Sequence, residues 1–342
     1  MRDLAGIRLA ALCAAFILFA IFTTACGDDS ENDSSSTGQA ASTSAERKSV
    51  TFMAGFKPQA NLPFVGVYVA QEKGFFEELN LDVDIRHAQS GEHLQLLLAG
   101  EVQVSTANAA QVVQRRAEDL PLVSIALIGQ KSEQGFAVGA DSGIESVSDW
   151  AGKTFGYKGT VPVEFLAIAE ANGLDPDDVE QVKVGFDPRI LSEGQVDILA
   201  VFVSNEPGQL ERIGYPVTVF DPSDYDIPVL GLTYITSEDQ LADDPEALER
   251  FIRGALRGIE YAGENVEEAI AIVLEYAPQE LREQQEYMLR TELARASNPQ
   301  GYGWQTSQQW AALIGALEEY EIITSDVAAD DVFTTQLMED ED

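Results

Sequence analysis

The chain has 342 residues, 45% apolar and 23% charged, enough to bury one large core or two medium ones and too apolar for a disordered body. Lys and Arg number 21 against 58 Asp and Glu, and the net charge of −37 excludes nucleic acid or an anionic membrane face as a favourable partner. The only cysteines are Cys13 and Cys26, so the chain beyond residue 26 has no disulfide and no thiol for catalysis or metal binding.

Residues 1–26 open with Arg2 and Arg8, continue as an uncharged apolar run from Leu9 to Phe22, and end in small residues before Cys26. The run is short for a membrane span and fits the core of a signal peptide. Ala25, Cys26 and Gly27 resemble the lipobox of bacterial lipoproteins, with Thr23 standing where leucine is usual. The resemblance implies that Cys26 is acylated, becomes the mature N-terminus and holds the protein at the outer face of a membrane. Residues 27–48 are polar, serine-rich and free of any hydrophobic side chain larger than alanine, which predicts a flexible tether.

From residue 49 the pattern changes. Thr51 to Ala54 reads as a strand, Gly55 to Asn61 as a loop with Pro58, and the segment from Pro63 to Lys73 as a helix closed by Gly74. In open α/β sheets the loop leaving a strand's carboxyl end is where ligands sit, which makes Phe56, Lys57, Gln59 and Asn61 the first candidates for ligand contact. Leu81–Ala88 alternates as a second strand, Glu92–Leu98 reads as a helix, Val102–Ala107 as a third strand and Asn108–Ala117 as a helix. Leu122–Gly129 is almost continuously apolar, as expected of a strand covered on both faces.

The alternation then restarts, with strands predicted at Phe136–Ala140, near Phe155, in VEQVKVGF, VDILAVFV and Thr218–Phe220, and with Val229–Thr236 as a return strand. After Pro245 the chain is predicted almost wholly helical, over 245–262, 266–276, 280–296 and 305–320, with Asp243, Asp244 and Asn265 as candidate caps and Trp304 and Trp310 as packing residues. Strands alternating with helices imply parallel sheets with right-handed crossovers. Two such series predict two lobes, 49–135 with 235–342 and 136–234, and a cleft between their strand ends.

Three further strand ends carry chemistry. Phe155-Gly156-Tyr157-Lys158-Gly159-Thr160-Val161-Pro162 is a glycine turn before a helix whose free N–H groups can serve a ligand acceptor. It is neither a phosphate loop nor a dinucleotide fingerprint, because the Gly-Lys-Ser/Thr spacing and the third glycine are absent. Phe186-Asp187-Pro188-Arg189 offers a ring and two charges; Arg189 either clamps a ligand anion or pairs with Asp187. Ser204-Asn205-Glu206 follows a strand, and Asn205 can both donate and accept. His87 and His93 lack a third metal ligand, which favours solvated or capping roles, and no GxSxG elbow occurs.

Taken together, VTFMAGFKPQANLPFVGVYVAQEKGFFEE, HLQLLLAGEVQVSTANAAQVV, WAGKTFGYKGTVPVEFLAI and EGQVDILAVF resemble the substrate-binding proteins of ABC importers, in the branch related to thiamine-pyrimidine synthases. FKPQANLPF, YKGTVP, VGFDPRI and VDILAVFVSNEP most resemble the riboflavin-binding lipoproteins of flavin importers. This implies an α/β, two-lobed periplasmic-binding-protein fold of type II with a helical C-terminal part, a riboflavin cargo and a membrane permease as partner. No cofactor and no metal are implied. Phe56, Tyr157 and Phe186 would supply stacking faces, and Gln59, Asn108, Asn205 and Glu206 the polar contacts to the dione edge and ribityl chain. The substrate loop of the related synthases corresponds to Gly159, Thr160, Val161 and Pro162.

Relatives that handle the thiamine pyrimidine tend to carry a histidine where this chain has Phe64, and the eukaryotic synthases carry cysteines where it reads VLGLTYIT. The first departure favours a larger aromatic cargo, and the second argues against synthase activity. A carrier of a thiamine pyrimidine precursor and a pyrimidine synthase-like enzyme are the alternatives.

Overall fold

The computed structural model describes residues 46–89 and 91–338. The first series is β1 (Lys48–Ala54), α1 (Leu62–Glu72), α2 (Phe75–Glu78), β2 (Leu81–His87), α3 (His93–Leu98), β3 (Val104–Asn108), α4 (Ala109–Ala117) and β4 (Leu122–Leu127). The second is β5 (Gln134–Gly139), β6 (Thr154–Tyr157), α5 (Val163–Ala171), β7 (Glu180–Lys183), α6 (Arg189–Ser192), β8 (Ile198–Phe202), α7 (Glu206–Arg212) and β9 (Val217–Phe220). A return strand, β10 (Leu232–Ser237), leads into α8 (Glu238–Asp243), α9 (Pro245–Glu264), α10 (Val266–Tyr276), α11 (Arg282–Ala296), α12 (Ser307–Glu319) and α13 (Ala329–Val332).

Local sequence explains the boundaries that matter. Proline in its first turn starts α1, and Gly74, at φ 74°, takes the left-handed conformation that follows its last turn. On β2 the side chains of Asp82, Asp84 and Arg86 are exposed while Leu81 is buried and Val83 and Ile85 pack against the core, as expected of an outer strand covered on one face. Asp244 caps α9 through the Ala247 N–H, whereas Asp243 is the last residue of α8 and caps nothing; that short helix starts at Ser237, whose hydroxyl accepts from the Gln240 N–H in a Ser-x-x-Gln pattern that sequence reading passed over.

The strands form two five-stranded sheets, in the orders β2-β1-β3-β10-β4 and β7-β6-β8-β5-β9. Each is parallel except for one strand, β10 in the first and β5 in the second. The chain leaves the first sheet after Leu127 and returns to it at Leu232, so both crossings fall slightly ahead of the boundaries expected at 136 and 235. β4 lies at an edge of its sheet yet is wholly buried, because Gly303 and Phe333 bridge to its outer side.

The first lobe packs Phe52, Phe76, Tyr234 and Phe251 around the contact of α1 with α9. A Cβ on Gly66 would lie 2.8 Å from the Ala255 carbonyl, and one on Gly258 would collide with the Gly66 carbonyl. Two helix-interior glycines, each unfavourable by about 1 kcal/mol, thus allow these helices to touch backbone to backbone. In the second lobe Phe136, Trp150, Phe155 and Phe165 form a buried ring cluster, with Phe155 stacked on Phe165 at 4.1 Å.

Two expectations are corrected. Residues 46–48 belong to the body rather than the tether: Lys48 opens β1 and pairs with Asp244, and the Glu46 carbonyl accepts from Arg250. Trp310 is fully buried as a packing residue should be, but Trp304 is 42% exposed, its carbonyl accepting from Gln130. The signal peptide, Cys26 and residues 27–45 lie outside the described residues.

Candidate binding cleft

Parallel strands put their carboxyl ends at one edge of a sheet. Here β1, β2, β3 and β4 end at one edge of the first sheet, and β6, β7, β8 and β9 at one edge of the second. The first crossing runs from the end of β4 to the start of the antiparallel β5, and the second from the end of β9 to the start of the antiparallel β10. Both crossings therefore join one carboxyl edge to the other, and the two edges form the walls of a cleft.

On the first wall, Phe56 and Lys57 are exposed in the loop after β1, and Lys57 pairs with Glu280 at 2.7 Å. Gln59 and Asn61 are buried instead: Gln59 donates to Asn61, and Asn61 donates to Glu292 at 2.6 Å. Asn108 is exposed and its Oδ1 caps α4 through the Gln111 N–H at 2.7 Å. His93 is buried beside Gly55 and Thr106, its pKa lowered by desolvation, and its Nδ1 has no hydrogen-bond partner. His87 accepts or donates at Tyr68 over 2.6 Å. The expectation of a solvated or capping role thus fails for His93, which is buried and caps no helix, whereas His87 at the end of β2 is half-buried and keeps part of its surface in water.

On the second wall, Tyr157 ends β6 half-buried, and the turn after it exposes Gly159, at φ 72°, and Thr160, with Val161 and Pro162 half-buried before α5. Phe186 is 76% exposed, and the Lys158 Nζ lies 5.9 Å from its ring centre. Lys158 pairs with the buried Glu206, which also accepts from the Phe202 N–H at 2.8 Å. Tyr157, Lys158, Phe186, Phe202 and Glu206 thus form one neighbourhood. Asp187 holds Arg189 at 3.0 Å, which pulls the Asp187 carboxyl down to about 2 and leaves no free guanidinium clamp. Asn205 accepts from Gln209 and Gln284.

Sequence reasoning assigned no site role to α11, yet this helix ties the walls together. Gln285 accepts from the Ala60 N–H, Gln284 donates to the Asn205 carbonyl, and Glu292 accepts from Leu62 N–H, Asn61 and Ser204. Arg295 pairs with Asp221 on the second crossing and donates to the Ser132 carbonyl on the first. Burial raises the carboxyl of Glu292 to about 7, and burial together with the charge of Glu292 raises that of Glu133, which accepts from the Leu232 N–H, to about 8. The signal was present: Gln285 and Glu292 lie in the same stripe as Met288, Leu289 and Ala296, and polar residues inside an apolar stripe mark buried hydrogen bonding.

A hollow of about 280 Å³ between α7 and α11, lined by Gly208, Glu211, Arg212, Glu283 and Tyr287, involves none of the strand-end residues. Among the described residues no cluster of His, Cys, Asp and Glu has the arrangement of a metal site, and no helix is long and apolar enough to cross a membrane.

The family model described as NMT1/THI5 like matches residues 61–269, from the start of α1 into α10. The chain belongs to the NMT1/THI5-like family. Among its relatives, the formylaminopyrimidine-binding protein of Halalkalibacterium halodurans is 29% identical over 84% of this chain and 90% of its own length. The riboflavin-binding protein RibY of Chloroflexus aurantiacus is 24% identical over 81% of this chain and 83% of its own. The periplasmic aliphatic sulphonate binding protein SsuA of Escherichia coli superposes with a TM-score of 0.67 over 83% of this chain and 96% of its own, at 13% identity. The fold of this NMT1/THI5-like chain is accordingly the two-lobed periplasmic-binding-protein fold.

Proposed function

We propose that the protein is the substrate-binding component of an ABC importer, that it captures riboflavin outside the cytoplasm, and that it passes the vitamin unchanged to a membrane permease. One observation carries this reading. Of the six large hydrophobic side chains exposed among the described residues, three are phenylalanines at or beyond strand carboxyl ends: Phe56 at 47%, Phe186 at 76% and Phe202 at 39%. Exposed rings gathered at a cleft mark a surface that a partner covers, and a tricyclic isoalloxazine offers more flat area for them than a single pyrimidine does. Likeness to the riboflavin-binding relative supports the same cargo. Closure of the lobes would then be favoured by the contacts that the ligand makes to both walls.

The anchor in this reading is an acylated Cys26, supported by the small residues that flank it after an apolar run. Fluorescence titration with riboflavin tests the cargo: saturable quenching at micromolar flavin is expected, and a flat titration refutes it. Mass spectrometry of Cys26 tests the anchor.

A second reading has its own support. The formylaminopyrimidine-binding relative is 29% identical over most of both chains, which favours a pyrimidine precursor as cargo. Competition between riboflavin and formylaminopyrimidine decides between the two.

A further inference from the structure

The cations at the cleft are already neutralised by the chain itself. The loops after β1, β6 and β7 bring in Lys57, Lys158 and Arg189, and each has its own carboxylate: Glu280 at 2.7 Å, Glu206, and Asp187 at 3.0 Å. The Lys158–Glu206 pair is withdrawn from solvent, with side chains only 17% and 6% exposed. Lys131 on the first crossing and Lys183 on the outermost strand of the second sheet are exposed, and water screens their charge.

Two of the helix starts at the strand ends, those of α1 and α4, are served in the same way. At α1 the Leu62 N–H donates to Glu292 at 2.5 Å, in the place where an anionic ligand group would gain most from the helix end. At α4 the Asn108 side chain takes the Gln111 N–H. The first turn of α5 carries a buried acid, Glu164, which accepts from Ser132 at 2.7 Å, and α7 opens on Glu206. An anion entering the cleft thus finds its cations and the starts of α1 and α4 already paired, and the buried acids Glu164 and Glu206 in the first turns of α5 and α7. A neutral ring meets no such repulsion.

Resting on the reading of the protein as a carrier of a flat heteroaromatic, we infer that the cleft selects the uncharged form of its ligand and rejects phosphorylated or otherwise anionic forms, with Glu206 and Glu292 as the residues that set this preference. Glu206 acts by occupying Lys158, and Glu292 by occupying the start of α1. The inference goes beyond naming the cargo, because riboflavin and FMN present the same ring system and differ in a phosphate.

The test compares riboflavin with FMN by calorimetry on the full chain. FMN is expected to bind at least about tenfold more weakly at low salt, since like charges brought together in a shielded site are costly. Raising ionic strength should narrow that ratio, and Glu206→Gln, which releases Lys158 to meet a phosphate, should narrow it further by several-fold. The wild-type ratio and its salt dependence stand as readouts even if the variant fails to fold. FMN bound within about threefold of riboflavin overturns the inference and leaves a flavin carrier intact. If formylaminopyrimidine binds and flavins do not, the same comparison with a phosphorylated pyrimidine decides, equal affinity again overturning it. Binding of an alkanesulfonate with no uncharged heteroaromatic bound overturns both the inference and the reading beneath it.

Discussion

Asn61, at the start of α1 in the first lobe, and Ser204, after β8 in the second, donate to the same oxygen of Glu292, over 2.6 and 3.0 Å. The other oxygen takes the Leu62 N–H. Removing the carboxylate therefore leaves three buried donors, from both walls, without an acceptor. Glu292→Ala should lower stability by about 2–4 kcal/mol in urea unfolding, and Glu292→Gln by less, because an unsatisfied buried donor costs about 1–3 kcal/mol and the amide keeps one acceptor. A Glu292→Ala protein as stable as the parent would mean that the bridge contributes nothing.

The two raised carboxyls make a pH prediction of unusual sign for acids. Glu292 and Glu133 have values in the folded chain of about 7 and 8 against an ordinary 4.5, because burial disfavours their charged forms. Their contribution is complete below pH 4.5 and is lost as pH rises through 7 and then 8. The loss has an upper limit of about 1.4 kcal/mol per pH unit for each group. Repulsion within a chain of net charge −37 acts in the same direction, so the informative quantity is the difference between the parent and a Glu133→Gln, Glu292→Gln double variant. That difference should change steadily between pH 5 and 8. A difference that is constant with pH would show that neither carboxyl is raised.

Gly129 sits where the first crossing passes the return strand. A Cβ there would lie 2.5 Å from the Glu133 Oε1 and 2.7 Å from the Leu232 N, at a residue whose φ is not positive, so the constraint is space and not conformation. Gly129→Ala must push the two crossings apart. Overpacking of this kind costs about 1–3 kcal/mol and here also displaces the hydrogen bond from Leu232 to Glu133. The thermal midpoint should fall by several degrees, whereas Gly143→Ala, where a Cβ meets only open space, should lower it only through its strained φ of 76°.

How much of this could be read in the sequence follows from range. Alternation in LDVDIRH and the glycine after Lys73 are local signals, and they placed β2 and the end of α1 closely. The strand-end loops follow from element order, so Phe56, Tyr157 and Phe186 could be nominated without coordinates. Which polar residues stay open to a ligand is decided by partners far along the chain. Asn61 meets Glu292 across 231 positions and Lys57 meets Glu280 across 223, and no local pattern encodes such a pairing. Phe202 escaped notice because it closes a strand whose other residues are all buried, and only the structure shows it emerging into solvent.

The exposed rings give the sharpest separation of function from folding. Phe186 is 76% exposed, with the Lys158 cation 5.9 Å from its ring as its one aromatic-type contact, so Phe186→Ala should change stability by less than about 0.5 kcal/mol. Phe155, two residues before Tyr157, is fully buried and stacks on Phe165 at 4.1 Å, so Phe155→Ala should cost about 3–5 kcal/mol. If the cleft holds a flat heteroaromatic, the order reverses in a riboflavin titration performed on folded protein. Phe186→Ala should weaken binding by roughly tenfold, the worth of a lost stacking face, while keeping the parent's melting curve. Loss of stability in Phe186→Ala, or riboflavin affinity unchanged by it, would place this ring outside the site, and the flavin reading would then lose the most exposed of the rings that motivate it.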